Sequence, residues 1–563
     1  HNRRVETFAT GLFGAKLLPA KNPLSTTTTA MSVAQKSLYE NVNYGGTLSD
    51  TSICHVDDRA VAWLDIMPPY VQNFWMGQWF GCPAVYRTPH IEFVNERSNR
   101  PQMRIYCSHS NHVHVQVIPS SLGWAYMEKR KMQETMLKRI VEKRFTTRLR
   151  SEPAVLDLMD KDVYPHESFR VSCSKSFEEV HSKIVFFPRR RPEVIQRIQE
   201  VKEKESSDGD ETKKKTPTKL NVIALFMDAL SRKHFQRKFP KTIKVMERIQ
   251  SEYEAGGKSN MDTTGIFQFF RYHAVDFSTD DNTRAMWTGR GKFGLSKEQI
   301  ETVFKNTTVL PPLWHTFKDR GYVTARLDNF CEDWTAKYNN YISDNDHEAI
   351  TPFCLPEYLK INGANDIING PYGIRHRCLS GQFVHKYSFD YIKKFWDVYS
   401  DVPKFLVSAY IEGHELTGEI IQDVDEDLAN FFAEMKTSGR LQNTIMVLLS
   451  DHGLHCGLLP IMTRSGMIEH MNPLQYWFIP NKVLNEHKYL EENLRLNSQR
   501  LVTAYDIHET LKHVLDLSQV PTYHTDYSQL PYGRSLFSNS ISPMRTCADV
   551  HVPPHYCKCQ YVA

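Results

Sequence analysis

Four apolar segments of this chain end in residues that can bind a divalent metal ion or supply a nucleophile. They are LNVIALFMD, FQFFRYHAVDFST, VPKFLVSAYIEGH and NTIMVLLSDHG, and the residues at their ends are Asp228, Thr279, Glu412, His414, Asp451 and His452. A polar residue must open the loop after any buried strand, so a single ending of this kind is uninformative. Four endings with metal-ligand residue types favour a shared site over independent loop starts.

These residue types indicate chemistry at a pair of divalent metal ions. Carboxylates and imidazoles suit Zn²⁺ or Mn²⁺, and neither a thiolate set nor an all-oxygen cage is evident. Two metal ions can activate a nucleophile and stabilise both the attacking and the leaving oxygen of an in-line displacement. Thr279 would be that nucleophile, because a neighbouring metal makes a hydroxyl proton easier to remove.

Thr279 also stands at a predicted helix start, in the segment STDDNTRAMWTG. The free backbone N–H groups of a helix N-terminus would face an anionic substrate there. Asp280, Asp281 and Asn282 fit the first turn of such a helix. Taken without the other segments, Thr279 would be a plain capping residue.

The elements that must position these residues form an α/β fold, with a mostly parallel sheet and helices on both faces. After Leu220, short buried runs alternate with amphipathic helix patterns, as they do in βαβ units. Ligands bind outside the carboxyl ends of such strands. The four segments would therefore deliver their polar ends to one edge of the sheet.

The chain divides into four predicted regions. They are an extended arm at 1–50, a smaller N-terminal α+β region at 51–202, a charged flexible linker or insertion at 203–219, and a catalytic domain with a cysteine-rich tail at 220–563. In the second region, the pattern LGWAYMEKRKMQETMLKRIVEKRF predicts a helix over 122–145.

Composition limits the partners and the compartment. The 563 residues carry 69 basic and 65 acidic side chains, a net charge of +4, which argues against nucleic acid as a partner. No apolar run approaches the roughly 18 residues that span a bilayer, so no transmembrane segment is predicted in this chain. Because the chain begins at His1, we expect that a signal or anchoring segment has been removed.

Eleven cysteines and the sequon Asn306-Thr307-Thr308 suit a secreted, disulfide-bonded glycoprotein. Reduced thiols in a cytosolic protein are the alternative. Oligomeric state is left open by the sequence.

Several motifs together resemble the alkaline phosphatase and sulfatase superfamily, and more closely the sulfatase-like DUF229 family. The superfamily features are SDHG after an apolar strand, an aspartate that ends an earlier strand, and a nucleophile segment that ends in TG. The closer match is MDALSRKHFQRKFPKT, followed by PPLWHTFKDRGYVTARLDNFCEDW, LLSDHGLHCG, GMIEHMNPL, AYDIHETL and GRSLFSNSISPMRTCADVHVPPHYCKC. The resemblance covers the chain from about residue 165 onward and implies an alkaline phosphatase-like fold.

The resemblance implies two divalent metal ions, with zinc expected and manganese or calcium as alternatives. The implied ligands of the first ion are Asp228, Asp451, His452 and the Thr279 oxygen, and those of the second are His414, His470 and Glu412. His470 stands three residues before Pro473, in the H-x-x-P context where phosphoethanolamine transferases of the superfamily carry a metal ligand.

Three further residues are expected to contact the substrate: Asn282, Arg232 and His455. His455 has two alternative roles, as a rival metal ligand and as an acid near the leaving group. The resemblance also suggests that Cys547 pairs with Cys557 or Cys559, and Cys456 is expected to be the free thiol of the odd count.

The sequence argues against sulfatase chemistry. Sulfatases of this superfamily oxidise a Cys or Ser within C/S-x-P-S-R to formylglycine, whereas Thr279 stands at that position and is followed by DDNT. Oxidation of a threonine would give a ketone. A threonine nucleophile with two metals instead resembles phosphatases, phosphodiesterases and phosphoethanolamine transferases. We therefore expect a phosphoester hydrolase or phosphotransferase that passes through a phosphothreonine.

The carboxylates of Asp280 and Asp281 would repel a phosphate monoester dianion more than a diester monoanion. This favours diesters of small molecules, lipid head groups or glycans. One alternative is a catalytically inactive secreted structural or interaction protein on the same fold, and a sulfatase is the other.

Overall fold

The structure of the protein is a computed structural model. It describes residues 54–55, 82, 85, 88–96, 100–110, 112–120, 141–146, 152–174, 182–207, 219–256, 259–291, 312–330, 345–354, 373, 377–456, 463–524, 526 and 531–561. Three predicted features lie outside these residues: the arm at 1–50, the sequon, and residues 208–218 of the charged segment at 203–219.

The strands follow one another along the chain as β1 (Cys54–His55), β2 (His90–Val94), β3 (Gln102–Tyr106), β4 (His112–Ile118), β5 (Val141–Thr146), β6 (Ala154–Asp157), β7 (Ser168–Ser172), β8 (Ser182–Phe186), β9 (Asn221–Met227), β10 (Thr264–Gln268), β11 (Tyr272–His273), β12 (Val323–Asp328), β13 (His347–Ala349), β14 (Cys378–Leu379), β15 (Gln382–Phe383), β16 (Lys404–Tyr410), β17 (Thr444–Leu449), β18 (Gln475–Pro480), β19 (Val502–Thr503) and β20 (Gln560–Tyr561).

The α-helices are α1 (Pro192–Ser207), α2 (Arg232–Lys238), α3 (Pro240–Gly256), α4 (Thr279–Thr288), α5 (Leu313–Asp319), α6 (Val384–Val398), α7 (Val424–Thr437), α8 (Arg464–Met471), α9 (Asn481–Glu486), α10 (Tyr489–Asn497) and α11 (Ala504–His513). Short 3₁₀ turns occupy Thr351–Cys354, Ile420–Asp423 and Arg440–Asn443. None of the helices in the described part of the chain is both long enough and apolar enough to cross a bilayer.

A seven-stranded sheet, in the order β10-β18-β17-β9-β16-β12-β13, forms the centre of the molecule. The strands from β17 to β13 are parallel, whereas β18 is antiparallel to both of its neighbours. Leu449 pairs with Phe226, and Tyr410 pairs with Met227. Strands β17, β9 and β16 therefore end at the same level, and the loops that follow them meet at one edge.

Both faces of this sheet are covered, which explains why its strands are apolar without alternation. On β9, Ile223 and Leu225 belong to one buried cluster, and Val222 and Ala224 belong to another. Helices α3, α6 and α7 contribute to the first cluster, and α4, α5 and α11 contribute to the second. The predicted α/β fold with helices on both faces is confirmed.

The N-terminal region contains two antiparallel sheets, β2-β3-β6 and β5-β4-β7-β8. Their facing side chains form a separate buried cluster that includes Met103, Val115 and Phe169. The disulfide between Cys82 and Cys378 joins this part of the chain to the main domain.

The structure differs from the sequence patterns in three places. Residues 141–145, predicted as the end of a helix, belong to β5, because pairing with β4 satisfies their backbone groups. Residues 203–207, expected in the linker, continue helix α1. The run FQFFRYHAVDFST is broken: β10 ends at Gln268, β11 pairs with β19, and a bend carries the chain to Thr279.

Candidate functional site

The carboxyl ends of three adjacent parallel strands carry the candidate site. Asp228 directly follows β9, and Asp451 and His452 follow β17. His414 lies in the loop after β16, and Thr279 is the first residue of α4. The structure thus brings the ends of all four predicted segments to one edge of the sheet.

Thr279 points its hydroxyl at the two strand-end residues beside it. Its Oγ1 donates a hydrogen bond to Asp228 Oδ1 at 3.3 Å and lies 3.1 Å from His452 Nε2. The His452 Nε2 atom is in turn 3.2 Å from Asp451 Oδ2 and 3.8 Å from Asp228 Oδ1. Two ligands of one tetrahedral zinc ion lie about 3.3 Å apart when both bonds are roughly 2.0–2.1 Å long. These separations fit a common cation.

The charge balance of the site also fits a bound cation. Asp228 and Asp451 are 2% and 0% exposed, and Asp451 Oδ2 has no hydrogen-bond donor. Burial, together with the neighbouring charge of Asp451, raises the pKa of Asp228 well above its usual value. Two buried carboxylates beside a neutral imidazole fit a divalent metal ion, because a buried charge without a partner is costly.

His452 is held in the form that a metal requires. Burial lowers the pKa of its ring, and Nδ1 lies 2.9 Å from the carbonyl oxygen of Gly453. If Nδ1–H donates to that carbonyl, the lone pair of Nε2 faces Thr279 and the carboxylates. A backbone acceptor of this kind fixes the tautomer of many metal-binding histidines.

Asn282 orders the bend that precedes Thr279. Its Oδ1 accepts from the backbone N–H of Val275 at 2.7 Å, and its Nδ2 donates to the carbonyl oxygens of Asp276 and Ser278 at 2.8 and 2.9 Å. The amide is thus engaged with main-chain groups. It shapes the loop that holds Thr279, a different role from the predicted substrate contact.

One of the two acidic residues after Thr279 is neutralised locally. Asp281 Oδ1 lies 2.5 Å from Arg284 Nη1, and Arg284 is buried in the same helix. The repulsion that the sequence suggests against phosphate monoesters is therefore reduced. Thr279 itself is half-buried.

A cluster of histidine rings lies beside the carboxylates. The ring of His455 is 4.5 Å from that of His452, 4.7 Å from that of His414 and 5.3 Å from that of His470. Burial and the neighbouring imidazoles lower the pKa of His455, and burial lowers that of His470 to about 3. Neutral rings of this kind retain a lone pair for a metal.

The predicted second ligand set is only partly assembled. His470 Nε2 lies 3.0 Å from the carbonyl oxygen of Phe277. The carboxylate of Glu412 accepts two hydrogen bonds from Asn329 Nδ2, at 2.9 and 3.1 Å, and lies 3.5 Å from His385 Nδ1. Glu412 is thus engaged by neighbours other than the histidine cluster.

Arg232 also lies away from an open substrate surface. It is 1% exposed, its guanidinium lies 5.6 Å from the centre of the Phe270 ring, and its Nε lies 3.5 Å from Asn472 Oδ1. This burial is typical of a structural arginine.

Cys456 is the residue at this site that the sequence patterns did not single out as a ligand. It is the free cysteine among the described residues, and its Sγ lies 3.5 Å from His414 Nδ1. The signal in the sequence is its position, directly after His455 and four residues after His452.

The predicted disulfide in the cysteine-rich tail is confirmed, because Cys547 pairs with Cys557. Cys559 instead pairs with Cys54, and Cys107 pairs with Cys173.

With the fold and site described, comparison with known proteins identifies the class. The chain belongs to the DUF229 family, described as a protein of unknown function, whose sequence model matches residues 91–562. The predicted family is therefore confirmed. A search of curated proteins gives no match.

Solved structures of low similarity include members of the alkaline phosphatase superfamily. The C-terminal periplasmic domain of EcEptC from Escherichia coli, in complex with Zn, is 10% identical, with 58% of this chain and 88% of that chain covered and a TM-score of 0.36. An alkaline phosphatase superfamily protein from Vibrio parahaemolyticus is 15% identical, with 58% and 79% covered and a TM-score of 0.35. The corresponding domain of phosphoethanolamine transferase EptC from Campylobacter jejuni is 11% identical, with 58% and 95% covered and a TM-score of 0.33.

Proposed function

We propose that this protein is a metal-dependent phosphoester hydrolase or phosphotransferase with Thr279 as its nucleophile. The observation that carries the proposal is the position of Thr279 Oγ1, within 3.3 Å of Asp228 Oδ1 and 3.1 Å of His452 Nε2. A hydroxyl at the first position of a helix, beside a metal-ligand cluster, suits attack on an anionic ester.

Asp228, Asp451, His452 and Thr279 would hold one divalent ion. When bound, such an ion would stabilise negative charge on the oxygens of the reacting phosphoryl group and make the hydroxyl more acidic. The described atoms fit this role because two carboxylates and one neutral imidazole converge on a buried point. Zinc suits this mixed nitrogen and oxygen set.

The remaining steps belong to the residues of the chain. Thr279 Oγ1 forms a bond to phosphorus as the P–O bond to the leaving alkoxide breaks. The hydroxyl proton departs to solvent, and the leaving alkoxide takes a proton from water, so the step releases no net proton. Water or an acceptor alcohol then attacks the phosphothreonine, gives up its own proton, and Thr279 is released and reprotonated. The N-terminal amides of α4 would stabilise negative charge on the phosphoryl oxygens.

We propose a phosphoester of a small molecule, a lipid head group or a glycan as the substrate, and an extracellular or secretory-pathway location. The disulfides among the described residues support an oxidising compartment.

Hydrolysis of three chromogenic esters tests the proposed function: a phosphate monoester, a phosphate diester and a sulfate. We expect phosphoester turnover that chelation abolishes and that Thr279→Ala reduces by roughly 10³-fold or more. Thr288→Ala is the matched control, because it removes a hydroxyl from the last turn of the same helix. That hydroxyl donates to the backbone carbonyl of Arg284. It should retain activity.

The three esters also separate the alternatives. Sulfate turnover would contradict the phosphoester proposal. Absence of turnover, of transfer to added alcohols and of bound metal would favour a structural or interaction protein on this fold.

A further inference from the structure

Cys456 occupies an unusual position for a free thiol in a disulfide-bonded protein. It is half-buried at the candidate site, whereas the cysteines at 54, 82, 107, 173, 378, 547, 557 and 559 are all paired. An unpaired thiol beside histidines is a candidate ligand, because thiolates bind zinc strongly.

The distances around Cys456 are those of metal ligands. Cys456 Sγ lies 3.5 Å from His414 Nδ1. A sulfur and a nitrogen on one tetrahedral zinc ion, with bonds of about 2.3 and 2.0–2.1 Å, lie about 3.6 Å apart. His455 supplies a third atom, and the ligand atoms of all three residues lie within 4.8 Å of one another.

We propose that His414, His455 and Cys456 form a second metal site, in which a thiolate replaces the carboxylate expected from Glu412. The proposal rests on the proposed function, because it assigns the second ion of the same centre. Glu412 is held by Asn329 and His385, so the loop after β16 contributes only its histidine. Three protein ligands leave a fourth position for water or substrate, as in catalytic zinc sites.

The thiolate also determines which metal the centre takes. Magnesium, calcium and manganese prefer oxygen ligands, whereas a sulfur and two imidazoles favour zinc. When Cys456 binds the ion, its thiol releases one proton to solvent. The proximity of His455 to His452, with ring centres 4.5 Å apart, places this site directly beside the carboxylate site.

Metal content and cobalt absorption of the full chain test the second site. We expect two zinc ions in the wild type and one in Cys456→Ser and Cys456→Ala. With Co²⁺ in place of zinc, the wild type should show a near-ultraviolet thiolate-to-cobalt band that both variants lack. Asp451→Asn is the matched variant at the other site and should keep that band.

Alkylation supplies a readout that does not depend on either metal spectrum. Zinc should slow iodoacetamide modification of Cys456 by at least about tenfold, measured on the tryptic peptide, because a coordinated thiolate is a poorer nucleophile. Unchanged zinc content in Cys456→Ser, with folding confirmed by circular dichroism, would overturn the second site.

The proposed function and the second site can fail separately. Ester turnover that depends on Thr279, combined with no cobalt–thiolate band, would refute the second site alone. Two bound zinc ions with a thiolate band, but no ester turnover or transfer, would refute the proposed function alone.

Discussion

At the scale of single residues, Asp451 gives the clearest support for the proposed cation. Its Oδ1 accepts hydrogen bonds from the backbone N–H groups of Ala229 and His452, at 3.3 and 2.9 Å, while its fully buried Oδ2 has no donor. Asp228 adds a second carboxylate beside it. Two buried carboxylates without a compensating positive charge are costly to the fold, and as ligands of the proposed cation they would be compensated.

Asp451→Asn should therefore separate metal binding from folding. An asparagine can keep Oδ1 as an acceptor and removes the buried charge at Oδ2. With chelator present, we expect the variant to melt at or above the wild-type temperature. With zinc at 100 times the dissociation constant of the carboxylate site, that site should add about 2.7 kcal/mol to the stability of the wild type and much less to that of the variant. Differential scanning calorimetry measures both.

Asp516→Asn is the control, because Asp516 is exposed and its substitution removes the same charge from the surface. It should gain as much stability from zinc as the wild type. Equal zinc stabilisation of Asp451→Asn and the wild type would contradict the assignment of Asp451 as a ligand.

At the scale of the elements, the site depends on loops that cross at very short range. Gly413, between the end of β16 and His414, passes beneath Asp228, and a Cβ at Gly413 would lie 2.3 Å from the Asp228 carbonyl oxygen. Ala229, on the other side of Asp228, has a φ of 57°, a strained conformation for a residue with a side chain. The packed strand-end loops hold this arrangement in place.

Gly413→Ala should consequently displace Asp228 and weaken zinc binding by at least about tenfold, because ligand position is sensitive to such shifts. Isothermal titration with zinc gives the change. Gly439→Ala is the control: Gly439 has a φ of 72°, but an added Cβ would make only ordinary van der Waals contact, with its nearest neighbour at 3.6 Å. That variant should lose about 1–2 kcal/mol of stability and retain zinc affinity. Wild-type zinc affinity in Gly413→Ala would contradict the role of this crossing.

The elements also show which features a sequence reveals. Buried runs followed by Asp228, Asp451 and His452 predict their placement, because parallel strands bring their ends to one edge. The partner of Glu412 could not be predicted in this way, since Asn329 is 83 residues away in the chain and its contact exists only in the folded sheet. Cys456 was hidden for the same reason: its local spacing is visible, but its partner His414 comes from the loop after β16.

At the scale of the whole molecule, one buried carboxylate connects the N-terminal region to the domain of the seven-stranded sheet. Glu167, just before β7, lies 2.9 Å from the ring of His347 on β13 and accepts a hydrogen bond from Tyr391 on α6 at 2.8 Å. Arg191 completes an ion pair with it at 3.2 Å. The predicted division into regions 51–202 and 220–563 stays a prediction. Residues of both regions take part in this buried network.

This network should make stability depend on acid. Burial alone would raise the pKa of Glu167, but the charge and hydrogen bond of His347, with Arg191 and Tyr391, lower it to about 2 from 4.5. The folded state therefore binds the Glu167 proton more weakly than the unfolded chain does. The stabilisation is present above pH 4.5 and is lost as pH falls from 4.5 toward 2.

Glu167→Gln should remove this contribution, on the order of 3 kcal/mol at neutral pH, and the difference from the wild type should shrink below pH 4.5. Urea unfolding from pH 7 to pH 3 measures it, with exposed Glu152→Gln as the control. A difference that stays constant over this range would show that Glu167 contributes through packing alone.

The central claim concerns the covalent role of Thr279, and a trapped intermediate tests it most directly. Zinc-loaded enzyme would be mixed with a phosphoester that it turns over, quenched in acid within milliseconds to seconds, digested and sequenced by mass spectrometry. The account predicts a phosphoryl group, with any retained substituent, on Thr279 and none in Thr279→Ala. Modification of another residue, or turnover by the Thr279→Ala protein at the wild-type rate, would contradict it.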